Sequence, residues 1–146
     1  MSRFRFPWET LLAVRRREEQ AQQATLARLQ GRSREIAEAM EAGRHALDAG
    51  REALRGALTG RVDGAAVRME AQNALVLQRR LRAAGAELAA ANRAAEQARR
   101  TLADAARERR AVELLREARL RAHLEAQARR EQAAMDEVAA RVGGEA

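Results

Sequence analysis

From Leu26 onward, apolar or small side chains return at alternating steps of three and four: Leu26, Leu29, Ser33, Ile36, Met40, Gly43, Leu47, Gly50, Leu54 and Ala57. The residues between them are mostly charged. A repeat of this kind, kept over several heptads, confines the apolar surface to one narrow stripe of a helix and supercoils it left-handed against a partner. A second stripe follows in Ala74, Leu77, Leu81, Ala84, Leu88, Ala91, Ala95, Ala98, Leu102, Ala105, Arg109 and Val112. Between the two stripes lie Gly56, Gly60 and Gly64, with Asp63 placed to cap a new helix. The spacing predicts helix one over about 7–57, opening at Pro7 where a missing N–H costs nothing. It predicts a turn over about 58–64 and helix two over about 65–142. The fold class expected is all-α: two long helices in an antiparallel coiled coil, a helical hairpin with the second helix longer, forming a single domain over 1–146.

Composition supports long paired helices over a globular core. The aromatic residues Phe4, Phe6 and Trp8 all fall in the first eight positions, and alanine supplies much of the 47% hydrophobic content. Alanine buries little area, so a compact core would be thinly stocked, whereas a paired helix has to cover only its stripe. Net charge is +7 and every basic residue is Arg, which fits a GC-rich coding sequence. Arg also offers bidentate reach to carboxylate or phosphate. Here the basic residues are interspersed with 21 acids, so much of the charge is expected in Glu–Arg pairs along the helices.

Several function classes drop out. There is no cysteine, so thiol redox chemistry and thiolate metal sites are excluded. Apolar runs such as Leu11-Leu12-Ala13-Val14 fall far short of the roughly 20 residues that span a bilayer. The N-terminus lacks the apolar stretch of a secretory signal, and a cytosolic protein without membrane insertion is expected. No phosphate-binding GxxxxGK[ST] loop is present. The serines are Ser2 and Ser33, and His45 and His123 lie on different helices at levels that do not meet. Asp136 and Glu137 point about 100° apart on a helix and cannot flank one substrate, so they meet arginines of a partner or solvent. The chain is expected to be no enzyme and to use no cofactor or metal.

A fold near Val62 sets Leu54 opposite Glu70 and Leu12 opposite Val112. Helix one then runs out where the second stripe loses its phase, since Arg116, Arg119 and His123 would come next. A new stripe starts at Leu120, Leu124, Gln127, Glu131, Met135, Val138 and Val142, a discontinuity of the stutter kind. Residues 113–142 are expected to overhang, about 45 Å of helix at 1.5 Å per residue. Their apolar members read as an intermolecular docking surface; an intrachain kink or a homodimer are the alternatives. Phe4, Phe6 and Trp8 either pack the start of helix one against helix two around Val112 and Leu115 or serve as anchors on a partner.

The opening Phe4-Arg5-Phe6-Pro7-Trp8-Glu9-Thr10-Leu11-Leu12 resembles the FPLETLL-type start of the flagellar FliJ family, with Trp8 in place of the usual Leu. Leu114-Leu115-Arg116-Glu117-Ala118-Arg119 and Arg129-Arg130-Glu131-Gln132-Ala133-Ala134-Met135-Asp136-Glu137-Val138-Ala139 are similar to that family's C-terminal block. The resemblance implies a non-enzymatic stalk or adaptor of the flagellar type III protein export apparatus. Its terminal end would dock in the ring of the hexameric export ATPase and promote assembly and activity. Its body would reach the transmembrane export-gate protein and export chaperones, placing it peripherally at the inner face of the cell membrane. On this resemblance the ATPase-binding residues expected are Phe4, Phe6, Trp8, Arg116, Arg119, Leu120, Leu124, Met135, Asp136 and Val138. The coiled-coil core expected from the stripes is Leu26, Leu29, Ile36, Met40, Leu47, Leu54, Leu77, Leu81, Leu88, Leu102 and Val112. The alternatives are the stalk of a virulence-type secretion system, a structural homodimeric coiled coil, and a basic coiled coil that binds nucleic acid. No nucleic-acid partner is expected, because no aromatic side chain is interleaved with the arginines for base stacking.

Overall fold

The computed structural model describes residues 3–144. Among them are two helices, α1 (Glu9–Ala57, 49 residues) and α2 (Gly64–Gly144, 81 residues), joined as a helical hairpin with the longer arm second. Helix α1 opens at Glu9 rather than at Pro7. The Trp8 carbonyl accepts the Leu12 N–H at 3.0 Å and the Phe6 carbonyl accepts the Glu9 N–H at 3.3 Å, so Pro7 and Trp8 form the turn that leads in. Trp8 thereby occupies the capping position, and the acid of Glu9 sits at the positive end of the helix.

The connection between the helices satisfies its own polar groups. At the end of α1 the Leu58 N–H is shared between the carbonyls of Leu54 and Arg55, at 3.1 and 3.2 Å. Thr59 donates to the Gly56 carbonyl twice, from its N–H at 3.2 Å and its hydroxyl at 2.7 Å. Gly60 then adopts φ +74°, in the left-handed region that a side chain would resist. Asp63 caps α2: its Oδ1 accepts the Ala65 N–H at 2.9 Å and its carbonyl accepts the Val67 N–H at 3.1 Å.

The chain divides into two compact units, Gln22–Leu102 and Met1–Ala21 with Ala103–Ala146. In the Gln22–Leu102 unit the seam of α1 runs through Leu26, Leu29, Ser33, Ile36, Met40, Gly43, Leu47, Gly50, Leu54 and Ala57, each buried or half-buried. Opposite, α2 turns in Ala74, Leu77, Leu81, Ala84, Leu88, Ala91, Ala95, Ala98 and Leu102. Ile36, Leu47, Ala95 and Ala98 are the most deeply covered. A methyl group built on Gly43 would lie 2.9 Å from Leu81 Cδ2, so the glycine lets this leucine approach the α1 backbone. One level along, Met40 Cε comes within 3.8 Å of the corresponding position on Gly85. Arg32 bonds Glu87 across the seam at 2.5 Å. These crossings are the ones a reversal near Val62 requires.

One seam position carries a mismatch. The Ser33 hydroxyl oxygen is buried without a hydrogen-bond partner among the described residues. An unpaired buried hydroxyl forfeits its hydration for nothing, and alanine is in addition the better helix former. Ser33→Ala is therefore expected to stabilise the hairpin by about 1 kcal/mol, read as a higher urea midpoint at unchanged slope. A lower midpoint would show that the hydroxyl holds a partner in solution.

Candidate docking site at the terminal end

The terminal unit is built on polar cross-links around a small apolar centre. Leu12 is only 1% exposed, and Phe6 is buried near it in sequence. Four ion pairs tie α1 to α2 on either side of Leu12. Arg15 meets Glu108 at 2.5 Å, Arg16 meets Glu113 at 3.2 Å, Glu9 meets Arg116 at 3.1 Å, and Glu19 meets Arg109. Arg109 also bonds Glu113 one turn along its own helix at 2.5 Å. It stands at a seam position where a leucine would be usual, so a guanidinium with two carboxylates replaces an apolar layer.

The charges respond to this arrangement. Hydrogen bonding to Glu19 raises the Arg109 guanidinium above its ordinary value, with Glu113 adding attraction. The Glu113 carboxyl is held below the usual carboxylate range, first by the hydrogen bond from Arg16. Partial desolvation opposes this, and the nearby charges of Arg109, Arg16 and Arg110 favour it. A carboxyl that is more acidic when folded stabilises the unit at all pH values above the unfolded carboxylate range, near about 4.3. That contribution disappears as the pH falls through the lower, folded value. Protection factors of residues 9–21, taken against the intrinsic exchange rate at each pH, are thus expected to fall below that range, and Glu113→Gln should blunt the acid step while weakening the unit at neutral pH. An acid step of full size in the variant would assign it to other carboxylates.

Beyond the ion pairs the non-helical segment before α1 carries the contact further along α2. The Trp8 ring lies under the Arg119 guanidinium, 5.0 Å from its centroid, and stacks edge-on with Phe6 at 5.7 Å. Phe4 packs at 5.6 Å on His123. The aromatic segment therefore meets α2 at Arg119 and His123, not around Val112 and Leu115, and Leu115 is 41% exposed. This shortens the overhang expected over 113–142. From Trp8 on Arg119 to Phe4 on His123 the segment advances four residues against four of α2, so it prolongs the pairing beyond Glu9 at the pace of the helices themselves.

The half-buried positions of α2 here include Ala105, Arg109, Val112, Arg116, Leu120, His123 and Gln127, with Ala106, Glu113 and Ala126 beside them. Two steps of four in succession, from Val112 to Arg116 to Leu120, mark the stutter. It falls where the apolar pattern is lost, yet the seam continues through it, because Arg116 and His123 are half-buried on it.

Residues 128–143 are all exposed. On this stretch Met135, Val138 and Val142 are 69%, 61% and 69% exposed, and they form one apolar face with Ala134 and Ala139. Leu124, just before it, is 54% exposed. Asp136 accepts a hydrogen bond from Gln132 at 2.8 Å, and Glu137 pairs with Arg141, so these acids are engaged along their own helix.

The ten terminal residues singled out from the sequence thus divide. Phe4, Phe6, Trp8, Arg116 and Arg119 are engaged within the unit, with Leu120 half-buried on α2, whereas Leu124, Met135, Asp136 and Val138 face solvent. Leu11, Val14 and Leu114 are further exposed apolar residues of this unit that the seam pattern passes over. The spacing of three between Leu11 and Val14, on the face away from Leu12, is the signal for the first two. Among the described residues no cluster of His, Asp or Glu could hold a metal ion, and no helix is long and apolar enough to cross a membrane.

Comparison with known families matches residues 4–145 to the family described as flagellar FliJ protein. No curated protein and no solved structure matches the chain.

Proposed function

The chain belongs to the flagellar FliJ family, stalk proteins associated with flagellar export, and from that premise we propose that it is a non-enzymatic adaptor whose terminal end docks in the hexameric export ATPase. The observation that carries this reading is the exposed apolar face of Leu124, Met135, Val138 and Val142 on a helix that has outrun its partner. Single exposed apolar residues are ordinary, but a contiguous stripe on an unpaired helix marks a binding surface. The ion pairs and the aromatic segment hold the base of this helix, so the stripe is presented by a braced element. Arg121, Arg129 and Arg130 add positive charge beside it, which suits an acidic lumen and speeds encounter more than it adds affinity.

In this proposal the Gln22–Leu102 unit serves the export gate and the chaperones. Exposed Leu58, Val62, Leu75 and Val76 on that unit provide apolar surface for such contacts. The protein then acts at the inner face of the membrane without entering it.

The test is co-purification with the export ATPase from the same organism, with nucleotide turnover measured in parallel. Leu120→Ser, Leu124→Ser and Met135→Ser together should leave helical circular dichroism nearly unchanged and abolish both retention of the ATPase and its stimulation. Retention at the wild-type level would remove the docking surface from this face.

A further inference from the structure

We infer that the back of α2 between Gly64 and Arg93 binds the surface of an anionic lipid bilayer, with arginines at the headgroups and apolar side chains among them. Opposite the seam this stretch carries Arg68, Arg79, Arg82 and Arg93, the apolar Met69, Leu75 and Val76, and otherwise Ala and one Gln. All of these positions are exposed. None of the four arginines has an ion pair or hydrogen bond among the described residues. Met69, Leu75 and Val76 are 56%, 53% and 44% exposed. The two acids of the stretch lie off this face: Glu70 is half-buried at the seam, and Glu87 pairs with Arg32 of α1.

At the same levels of the hairpin α1 is built differently. Each of its arginines there has an acid one turn before it: Arg44 with Glu41, Arg51 with Asp48, and Arg55 with Glu52. Residues 38–55 hold three arginines and four acids, whereas residues 64–93 hold five arginines and two acids. The hairpin therefore has two unlike backs, and a negatively charged surface draws it in with α2 foremost.

An unpaired basic face attracts any polyanion, and the apolar members decide which one. A nucleic acid would use the arginines but leave Met69, Leu75 and Val76 against a hydrated backbone, with no aromatic side chain to stack on its bases. The headgroup layer of a bilayer takes both kinds of residue: guanidinium groups stay at the phosphates while their stems and the apolar neighbours enter the interface. The geometry suits a plane. Heptad supercoiling keeps this face turned away from α1, so Arg68 and Arg82 point the same way, as do Arg79 and Arg93, two heptads apart in each case. From Arg68 to Arg93 the row runs about 37 Å. A helix back is convex, and a fluid headgroup layer moulds to it. The contact is interfacial, since among the described residues no helix is long and apolar enough to cross a membrane.

This goes beyond the docking proposal, which calls only on proteins. It covers Leu75 and Val76 and leaves Leu58 and Val62 for protein partners. The test is co-sedimentation of the full chain with vesicles of equal parts phosphatidylglycerol and phosphatidylcholine, and with vesicles of phosphatidylcholine alone. Binding should appear on the anionic vesicles only and fall steeply with added salt. Each arginine near such a surface adds about fivefold to partitioning, so Arg79→Gln with Arg82→Gln should weaken binding about thirtyfold. Leu75→Ser with Val76→Ser should weaken it about tenfold. Arg44→Gln with Arg51→Gln removes the same net charge from α1 and should leave binding nearly unchanged. Helical circular dichroism should be alike in all three variants, whose substitutions fall at exposed positions.

No binding to the anionic vesicles, equal binding to both vesicles, or equal losses from the α1 and α2 arginine pairs would overturn the inference. Retention on duplex DNA through Arg79 and Arg82, with none on vesicles, would overturn it too and assign the face to a nucleic acid. The chain carrying Leu120→Ser, Leu124→Ser and Met135→Ser should bind vesicles as the wild type does, so loss of ATPase retention and loss of lipid binding are told apart.

Discussion

Replacing Leu12 by Ala is expected to loosen the terminal unit by about 3 kcal/mol, a large share of what holds it. Leu12 is the most deeply buried large side chain among the described residues, at 1% exposure. The unit has little else apolar at its centre, because Arg109 takes a seam position and the remaining cross-links are partly exposed ion pairs. Exposed pairs add little each, so they cannot compensate for a cavity at the centre. Amide exchange across residues 9–21 should therefore rise by about two orders of magnitude, at about 1.4 kcal/mol per tenfold change, if exchange reports opening equilibria. The nearby exposed Leu11 supplies the control, since Leu11→Ala should leave the exchange nearly unchanged. Equal effects at the two positions would mean that Leu12 is not the centre of the unit.

A second substitution acts in the Gln22–Leu102 unit and is larger still. Leu47→Asp with Leu54→Asp is expected to abolish the folded hairpin, read as a large loss of helical circular dichroism at 25 °C. Leu47 is 8% exposed and Leu54 half-buried, on the same seam one heptad apart. A carboxylate placed there loses its hydration with no arginine facing it from the seam of α2, where Leu77, Leu81 and Ala74 line up. Each such burial costs several kcal/mol, and a domain of this size holds only about 5–15 kcal/mol in total. Isolated helices rarely persist in water without a packed face, so separation of the arms should melt them. Ala53→Asp, at an exposed position between the two, should change little. A hairpin that remains helical with both aspartates would mean that its helices stand without this seam.

Much of the architecture is legible in periodicity. The steps of three and four from Leu26 to Ala57 and from Ala74 to Leu102 are the residues that the structure turns inward, because a supercoiled pair offers no other place for an apolar stripe. The reversal is legible in chemistry of a different kind: Gly60 at positive φ and Asp63 as the cap are what the backbone needs to end one helix and start another. The terminal end is harder to read. Arg116 and His123 look like the point where pairing stops, since a seam read by hydropathy ends at its first polar members. Their pairing depends on Glu9 and Phe4, which lie more than a hundred residues away in sequence and carry no periodic signal. Asp136 shows the converse: its exposed partner is local, at Gln132, and no approach across the seam is involved.

The amino-acid order alone determined that this chain pairs two long helices about one turn near Gly60, because heptad spacing and capping chemistry are properties of neighbours along the chain. Only the tertiary structure decided where that pairing ends. It ends where the non-helical run of Arg3 to Trp8 stops covering α2, and this sets which apolar residues of the longer arm remain in water. The reason is that Phe4 on His123, Trp8 under Arg119 and Glu9 on Arg116 join residues more than a hundred positions apart, and no periodicity along the chain encodes such contacts.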